Sequence, residues 1–342
     1  MPTTPIFEKK NVLVTGGAGF LGSHLCEELL AEAKVICVDD FSNSHPHNIE
    51  HLLQYPDFEF IKHDVNRPLD LSGFAELDKF KVKFQGIQEI YHLACPTSPR
   101  RFDEQKQQIL LSNSAAVINT LELAVKHRAR YLLASSAVVY GDDIGERDRV
   151  PETDLGAVNQ LSPRACYDEG KRFAEACVAT YRERLQIDAK IARLFTAYGP
   201  RQRLFEHQLI PDFIINALEG RELVIFGDEQ FSTSLCYITD LVDGVRRLQA
   251  AATNTWVVNL GGEERVRYRA VAEIIKKMTG SQSAIVFKEP LTFLTRKGTP
   301  DITRAKEELG WFPLVRLEDG LRKTIDYVLA HKEALLINNR NT

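Results

Sequence analysis

A short apolar run, NVLV at residues 11–14, leads into TGGAGFLGSH and then into the helical pattern SHLCEELL, so glycines stand at 16, 19 and 22 of a strand-to-helix turn. Few features restrict a chain more. Gly16 makes a tight turn, Gly19 lets backbone approach a pyrophosphate, and Gly22 lets the helix pack close to its strand. Phosphates are then favoured at the helix N-terminus. The next strand, KVICVDD, ends in Asp39 and Asp40. Asp39 at that place is expected to accept hydrogen bonds from ribose hydroxyls and to repel a 2′-phosphate, which favours NAD over NADP. Asp64, after a third strand, is a candidate adenine contact, with a turn-capping role as the alternative.

The rest of the first half alternates β-rich runs with helical patterns, which predicts βαβ units and a mainly parallel sheet. Strands are expected at 11–16, 34–40, 58–64, 89–95, 130–136 and 189–195, and helices near 20–32, 105–127 and 165–185. Residues 66–88 read as a surface insertion. After residue 196 the rhythm changes. A helix at 208–219, a strand ELVIFG, a return to strand and helix at 235–258, and helices at 268–279 and 303–309 suggest a smaller α/β lobe. The expected organisation is a doubly wound α/β domain over 1–196, with 235–258 packing back on it. A second lobe takes 197–234 and 259–342.

Composition narrows the functions. The chain has 342 residues, 44% hydrophobic and 26% charged, with a net charge of −4, so it offers no basic field for a nucleic-acid backbone. The longest apolar runs read as strand-sized, no secretion-signal order opens the chain, and neither nucleic acid nor membrane is expected as a partner. A cytoplasmic location is the expectation. Six cysteines, at 26, 37, 95, 166, 177 and 236, are dispersed without metal-ligand spacing and read as reduced thiols. His24, His45, His47, His63 and His92 read as structural residues, Trp256 and Trp311 as core.

Tyr167 and Lys171 stand at i and i+4 of ACYDEGK and so point the same way on a helix. An ammonium beside a phenol favours the phenolate, and a phenolate near a nicotinamide can take a hydroxyl proton while carbon gives up hydride. The pair alone is common on helix surfaces. Its weight comes from Ser135 and Ser136, which end the preceding strand and can hydrogen-bond a substrate hydroxyl.

Glycine triplet, acidic strand end, serine strand end and YxxxK, in this order, resemble the extended branch of the short-chain dehydrogenase/reductase superfamily, the NAD-dependent epimerases and dehydratases. Within it HLACPTSP (92–99) and PRACYDEGKR (163–172) resemble the UDP-glucuronate decarboxylases. LLASSAVVYGD, ARLFTAYGPR and PDITRAKEELGW are shared more widely. The resemblance implies a Rossmann domain holding NAD, a C-terminal lobe holding a UDP-sugar, and a homodimer built on the helices near 105–127 and 165–185. It implies catalysis by Tyr167, Lys171 and Ser136. Cofactor contacts would come from Gly16, Gly19, Phe20, Leu21, Gly22, Asp39, Asp40, Asp64, Val65, Leu93, Ala94, Asn113, Ser135, Tyr167 and Lys171. Ser98 and Pro99 would line the sugar pocket.

The chain departs from that pattern. The family's serine and glutamate before VYG are Ala137 and Val138 here, which argues against C4/C6 dehydration. Its asparagine in FNTYGPR is Thr196, and FTAYGPRQR is more like the UDP-glucuronate 4-epimerases, in which the threonine and the counterpart of Arg203 face the sugar. An arginine expected beside the diphosphate is Thr233, leaving Arg201, Arg203, Arg267 or Arg296 for the anionic substrate. Decarboxylation to UDP-xylose leads, 4-epimerisation to UDP-galacturonate is the alternative, and a binding protein without turnover is the alternative of another class.

Overall fold

The computed structural model describes residues 9–141, 149–252, 254–294 and 298–340. Its regular elements are, in order, β1 (Lys10–Thr15), α1 (Phe20–Leu29), β2 (Ala33–Asp39), β3 (Phe58–Lys62), α2 (Val82–Gln85), β4 (Glu89–His92), α3 (Phe102–Ser112), α4 (Ala115–His127), β5 (Arg130–Ser136) and α5 (Ala165–Leu185). There follow β6 (Ala189–Leu194), β7 (Ala197–Tyr198), α6 (Leu209–Leu218), β8 (Leu223–Phe226), β9 (Ser232–Ser234), β10 (Cys236–Tyr237) and α7 (Ile238–Ala250). The chain ends with β11 (Val257–Leu260), β12 (Arg265–Arg267), α8 (Tyr268–Thr279), β13 (Ile285–Lys288), α9 (Thr303–Leu309) and α10 (Leu317–Arg340).

Seven strands form one sheet in the order β11-β6-β5-β4-β1-β2-β3. Pairs β1–β2, β1–β4, β2–β3 and β4–β5 are parallel. The order reverses between β1 and β4, the switch point at which doubly wound sheets bind ligands. Val12, Leu13, Val14, Val35, Ile36, Cys37 and Val38 are fully buried, as expected of strands covered on both faces. The expected Rossmann α/β architecture is therefore present. Short strand pairs β10–β7, β12–β9 and β13–β8 accompany it. In α8 the buried residues Tyr268, Val271, Ala272 and Ile275 recur at helical spacing, which is why that segment winds as an amphipathic helix.

The chain divides into two compact units. One comprises Met1–Cys95, Leu111–Ala134 and Phe173–Ile191; the other comprises Pro96–Leu110, Ser135–Arg172 and Ala192–Thr342. The cuts fall inside β5 and β6, so each unit draws on several separate stretches of sequence.

Three expectations need correction. Residues 66–88 are not a surface insertion: Leu71, Leu77, Phe80 and Ile87 are buried, and the Asn11 amide donates to the Phe80 carbonyl at 3.0 Å and the Gly86 carbonyl at 2.8 Å. The helix expected over 105–127 is two helices parted by a turn at Asn113 and Ser114, a polar pair that interrupts the apolar run. By length and composition Phe102–His127 is also apolar enough to cross a membrane, and half of its most apolar window is buried inside the protein. Trp311 is core, its indole donating to the Asp240 carbonyl at 2.8 Å, whereas Trp256 is only half-buried.

Candidate active site

In the first unit the glycine turn is built as its spacing requires. Gly16 has φ of 69°, and a Cβ there would fall 2.8 Å from the Ala94 backbone. A Cβ on Gly22 would fall 2.1 Å from the Gly16 carbonyl oxygen, so only hydrogen lets α1 start this close to β1. Gly19 is the extended N-cap of α1, and no acidic side chain occupies the first helical turn. The leading N–H groups of a helix have no partners within it, and Phe20, Leu21 and Gly22 bring theirs to this end. The site thus fits a dinucleotide pyrophosphate: the cradle has no side-chain bulk and no repelling charge.

Asp39 does more than its sequence position implied. Its carboxylate accepts the Ala18 N–H at 3.0 Å, the Phe41 N–H at 2.9 Å and the Ser44 hydroxyl at 2.6 Å. It thereby pins the glycine turn to the loop after β2. Burial pushes its pKa up, against the pull of those three hydrogen bonds. A carboxylate has about four acceptor positions, so three bonds leave room for a ribose hydroxyl. The Asn48 amide holds the Ala18 carbonyl from the other side at 3.0 Å. Asp40 accepts the Ser42 N–H at 2.8 Å, and Asp64 the Asn66 N–H at 3.0 Å, a turn cap.

Other expected cofactor residues of this unit are tied down as well. The Val65 carbonyl accepts from the Asn119 amide at 3.1 Å. Leu93 donates its N–H to the Thr15 carbonyl at 3.0 Å, and Ala94 lies against Gly16. Asn113, buried, donates to the Cys95 sulfur at 3.3 Å. His92 ends β4 with its Nδ1 2.8 Å from the Thr15 hydroxyl. Among the described residues no group of three His, Cys, Asp or Glu side chains could hold a metal ion.

The second unit carries the tyrosine, lysine and serine pair that the sequence singled out. Tyr167 and Lys171 are both buried on α5, with the ammonium 5.9 Å from the phenol ring centre. Ser135 and Ser136 are buried at the end of β5, and Ser136 Oγ accepts the Val138 N–H at 3.4 Å, capping the short turn 137–140. Ala137 lies in an apolar cluster with Val139, Tyr140, Val150 and Phe195. Ala137 stands at the place of the family's serine, and Val138, at the place of the absent glutamate, is buried beside it in sequence. Arg172 holds this turn to the 155 loop by donating to the Val139 and Leu155 carbonyls at 3.0 and 2.7 Å.

Expected sugar-side residues converge on a group that spacing did not flag. Glu206 is buried; its carboxylate accepts from the Ser98 hydroxyl and pairs with Arg203 at 3.3 Å and Arg101 at 3.8 Å. Ser98 Oγ also accepts the Arg101 N–H at 3.1 Å, and Pro99 is half-buried beside it. Burial pushes the Arg203 pKa down, opposed by Glu206. The loop is held by Asp212 at the start of α6, which accepts the N–H groups of Phe205 and His207 at 2.7 and 2.9 Å. Burial raises the Asp212 pKa to about 7.

Thr196 shares a 2.9 Å hydrogen bond with Thr233, the residue found where an arginine was expected. Arg201 is half-buried in a left-handed conformation at φ 69°. Arg267 is exposed and ends β12 opposite Ser232, so the structure does not bring it into the Glu206 group. Arg296 lies outside the described residues. Arg101 and Glu206 were missed because the 98–101 and 203–206 segments meet only in the fold; the one local clue was Glu206 three residues after Arg203.

Residues 12–261 match the model of the NAD dependent epimerase/dehydratase family. UDP-glucuronic acid decarboxylase 1 of Xenopus tropicalis is 37% identical over 321 residues, covering 94% of this chain and 72% of that protein. UDP-glucuronic acid decarboxylase 1 of Arabidopsis thaliana is 35% identical over 321 residues, covering 93% and 69%. Among solved structures, UDP-glucuronic acid 4-epimerase from Bacillus cereus in complex with UDP-glucuronic acid and NAD superposes with a TM-score of 0.82. Its identity is 29%, and the match covers 94% of this chain and 99% of that one.

Proposed function

Because the chain belongs to the NAD dependent epimerase/dehydratase family, we propose that it is an NAD-dependent enzyme that decarboxylates UDP-glucuronate to UDP-xylose. The observation that carries this is the buried Tyr167–Lys171 pair on α5, in a chain 37% identical over most of its length to a UDP-glucuronic acid decarboxylase. The glycine turn and Asp39 would hold the cofactor's pyrophosphate and adenosine ribose. NAD bound there would supply a hydride acceptor for C4 of the sugar and the hydride to be returned.

Tyr167 Oη takes the C4 hydroxyl proton as that carbon becomes a ketone, and Lys171 offers positive charge to the phenolate formed. The C6 carboxylate is then β to a ketone. The C5–C6 bond breaks, carbon dioxide leaves, and the electron pair passes into an enolate whose oxygen is on C4. A proton added at C5 restores the ketone, and Tyr167 returns its proton to O4 as the alcohol reforms. Ser135 and Ser136 orient the reacting hydroxyl. None of these steps needs the carboxylate that Val138 replaces.

A second reading, 4-epimerisation to UDP-galacturonate, is favoured by Thr196 beside Thr233 and by Arg203 in the Glu206 group. Proton NMR of the protein with NAD and UDP-glucuronate separates the two. UDP-xylose with carbon dioxide supports decarboxylation, UDP-galacturonate replaces it with the epimerase, and an unchanged spectrum overturns both. The homodimer belongs to this reading too. Leu110, Leu111 and Ile118 on α3 and α4, and Phe173 and Leu185 on α5, are exposed apolar residues on the helices that would meet a second copy. Sedimentation at micromolar concentration checks it.

A further inference from the structure

The helix that carries Tyr167 begins with a second buried charge. Arg164, Tyr167, Asp168 and Lys171 fall at i, i+3, i+4 and i+7, one stripe of a helix. The Arg164 carbonyl already accepts the N–H groups of Tyr167 at 2.8 Å and Asp168 at 3.1 Å. Its guanidinium grips Asp168 in a fork, Nε to Oδ2 at 3.0 Å and Nη2 to Oδ1 at 2.7 Å. The guanidinium also lies over the Phe293 ring, 5.2 Å from its centre, and the Tyr167 ring lies 5.6 Å from that same ring. A planar cation pinned by a fork and an aromatic face keeps little rotational freedom.

Arg164 and Asp168 are only 5% and 4% exposed, and Nη1 of Arg164 is shielded from solvent without a hydrogen-bond partner among the described residues. Buried donors are seldom left so, because an N–H group removed from water loses a hydrogen bond that only a ligand or an ordered water can then restore. Charge balance does not account for it. Asp168 already neutralises the guanidinium, so what remains is an unused guanidinium nitrogen beside the ring against which the proposed base is packed.

We propose that Arg164 is a substrate-binding residue whose Nη1 donates a hydrogen bond to the carboxylate of the sugar nucleotide's uronic acid. This rests on the function proposed above. Tyr167 works at O4, and the C6 carboxylate hangs from the neighbouring carbon, which puts its oxygens within about 5 Å of O4. Phenol and guanidinium both pack on the Phe293 ring, as neighbours able to meet two groups on adjacent carbons. A neutral hydroxymethyl group at the same place draws far less from the donor than a charged carboxylate, so Arg164 selects for uronates.

The test is calorimetric titration with NAD present in a Tyr167→Phe background, where no ligand is consumed. UDP-glucuronate and UDP-glucose are titrated into that protein and into its Arg164→Lys and Arg164→Gln derivatives. The expected result is a loss of about 10- to 100-fold in UDP-glucuronate affinity in both derivatives. UDP-glucose is expected to change by less than about threefold, with NAD affinity unchanged. Equal losses for the two ligands, or no loss, overturn the proposal. So does full retention of the preference by Arg164→Lys, because lysine keeps the ion pair and lacks the fork. Product formation by the unsubstituted chain, followed separately, tests the function on which this rests: selective binding without turnover fails that reading and leaves Arg164 standing.

Discussion

Two buried carboxylates organise the two units, and they are wired differently. Asp39 draws on Ala18, Phe41 and Ser44, none more than 21 residues away, and so completes a local strand-turn-strand unit. Glu206 reaches Ser98 across 108 residues and gathers Arg101 and Arg203 at the same point. Its loop holds Phe205 and His207 in left-handed conformations at φ of 60° and 58°, which for such side chains costs about 1–2 kcal/mol each. Asp212 offsets part of that cost with two backbone hydrogen bonds. The lesson is that the proposed nucleotide end is a local motif, whereas the proposed sugar end is a loop in left-handed conformations held by long-range charge.

The largest expected effect separates the units most sharply. Tyr167→Phe should lower kcat by about 1000-fold or more while NAD titration shows unchanged affinity; full activity would remove the second unit from the chemistry. Next comes the pH dependence of stability. Asp212 has a folded pKa of about 7 against 3.8 when unfolded. The native state therefore holds an extra proton between those values, and the stability this confers falls as pH rises through the window and is gone above it. Asp212→Asn should flatten that slope in urea unfolding followed from pH 4 to pH 7, by up to about 4 kcal/mol across the range. Burial raises the Asp39 pKa also, so its slope has the same sign, and an unchanged slope in Asp212→Asn would assign the dependence to Asp39 instead.

Asp39→Ala should weaken NAD by about 10- to 30-fold, read by fluorescence titration, with little change in KM for the sugar nucleotide. Glu206→Ala is the converse case: KM should rise about fivefold to tenfold with NAD affinity intact. If either variant moves both constants together, the two carboxylates do not act independently, and the contrast between local and long-range wiring has no functional meaning.

Much of this was legible in the chain because its signals are short-range. The glycine triplet, the acid ending β2 and the i, i+4 pair on α5 each depend on spacing within one turn or one strand. The helix over 165–185 and the strand over 130–136 agree residue for residue with the sequence reading. The misreadings came from segments whose character depends on what covers them. Residues 66–88 look polar enough for a surface loop, yet Leu71, Leu77 and Phe80 are buried and Asn11 holds the Phe80 and Gly86 carbonyls. The turn at Asn113 and Ser114 was hidden inside an otherwise apolar helical pattern.

By itself, then, the sequence determined the class of sheet, the glycine turn and the placing of Tyr167 and Lys171 on one helix, because backbone conformation and helical periodicity are encoded by neighbours. Only the tertiary structure decided that Glu206 draws Ser98, Arg101 and Arg203 together, and that Arg164 lies against the ring that packs on Tyr167. Burial and ion pairing join residues about a hundred positions apart, and no local spacing encodes a contact that chain folding alone creates.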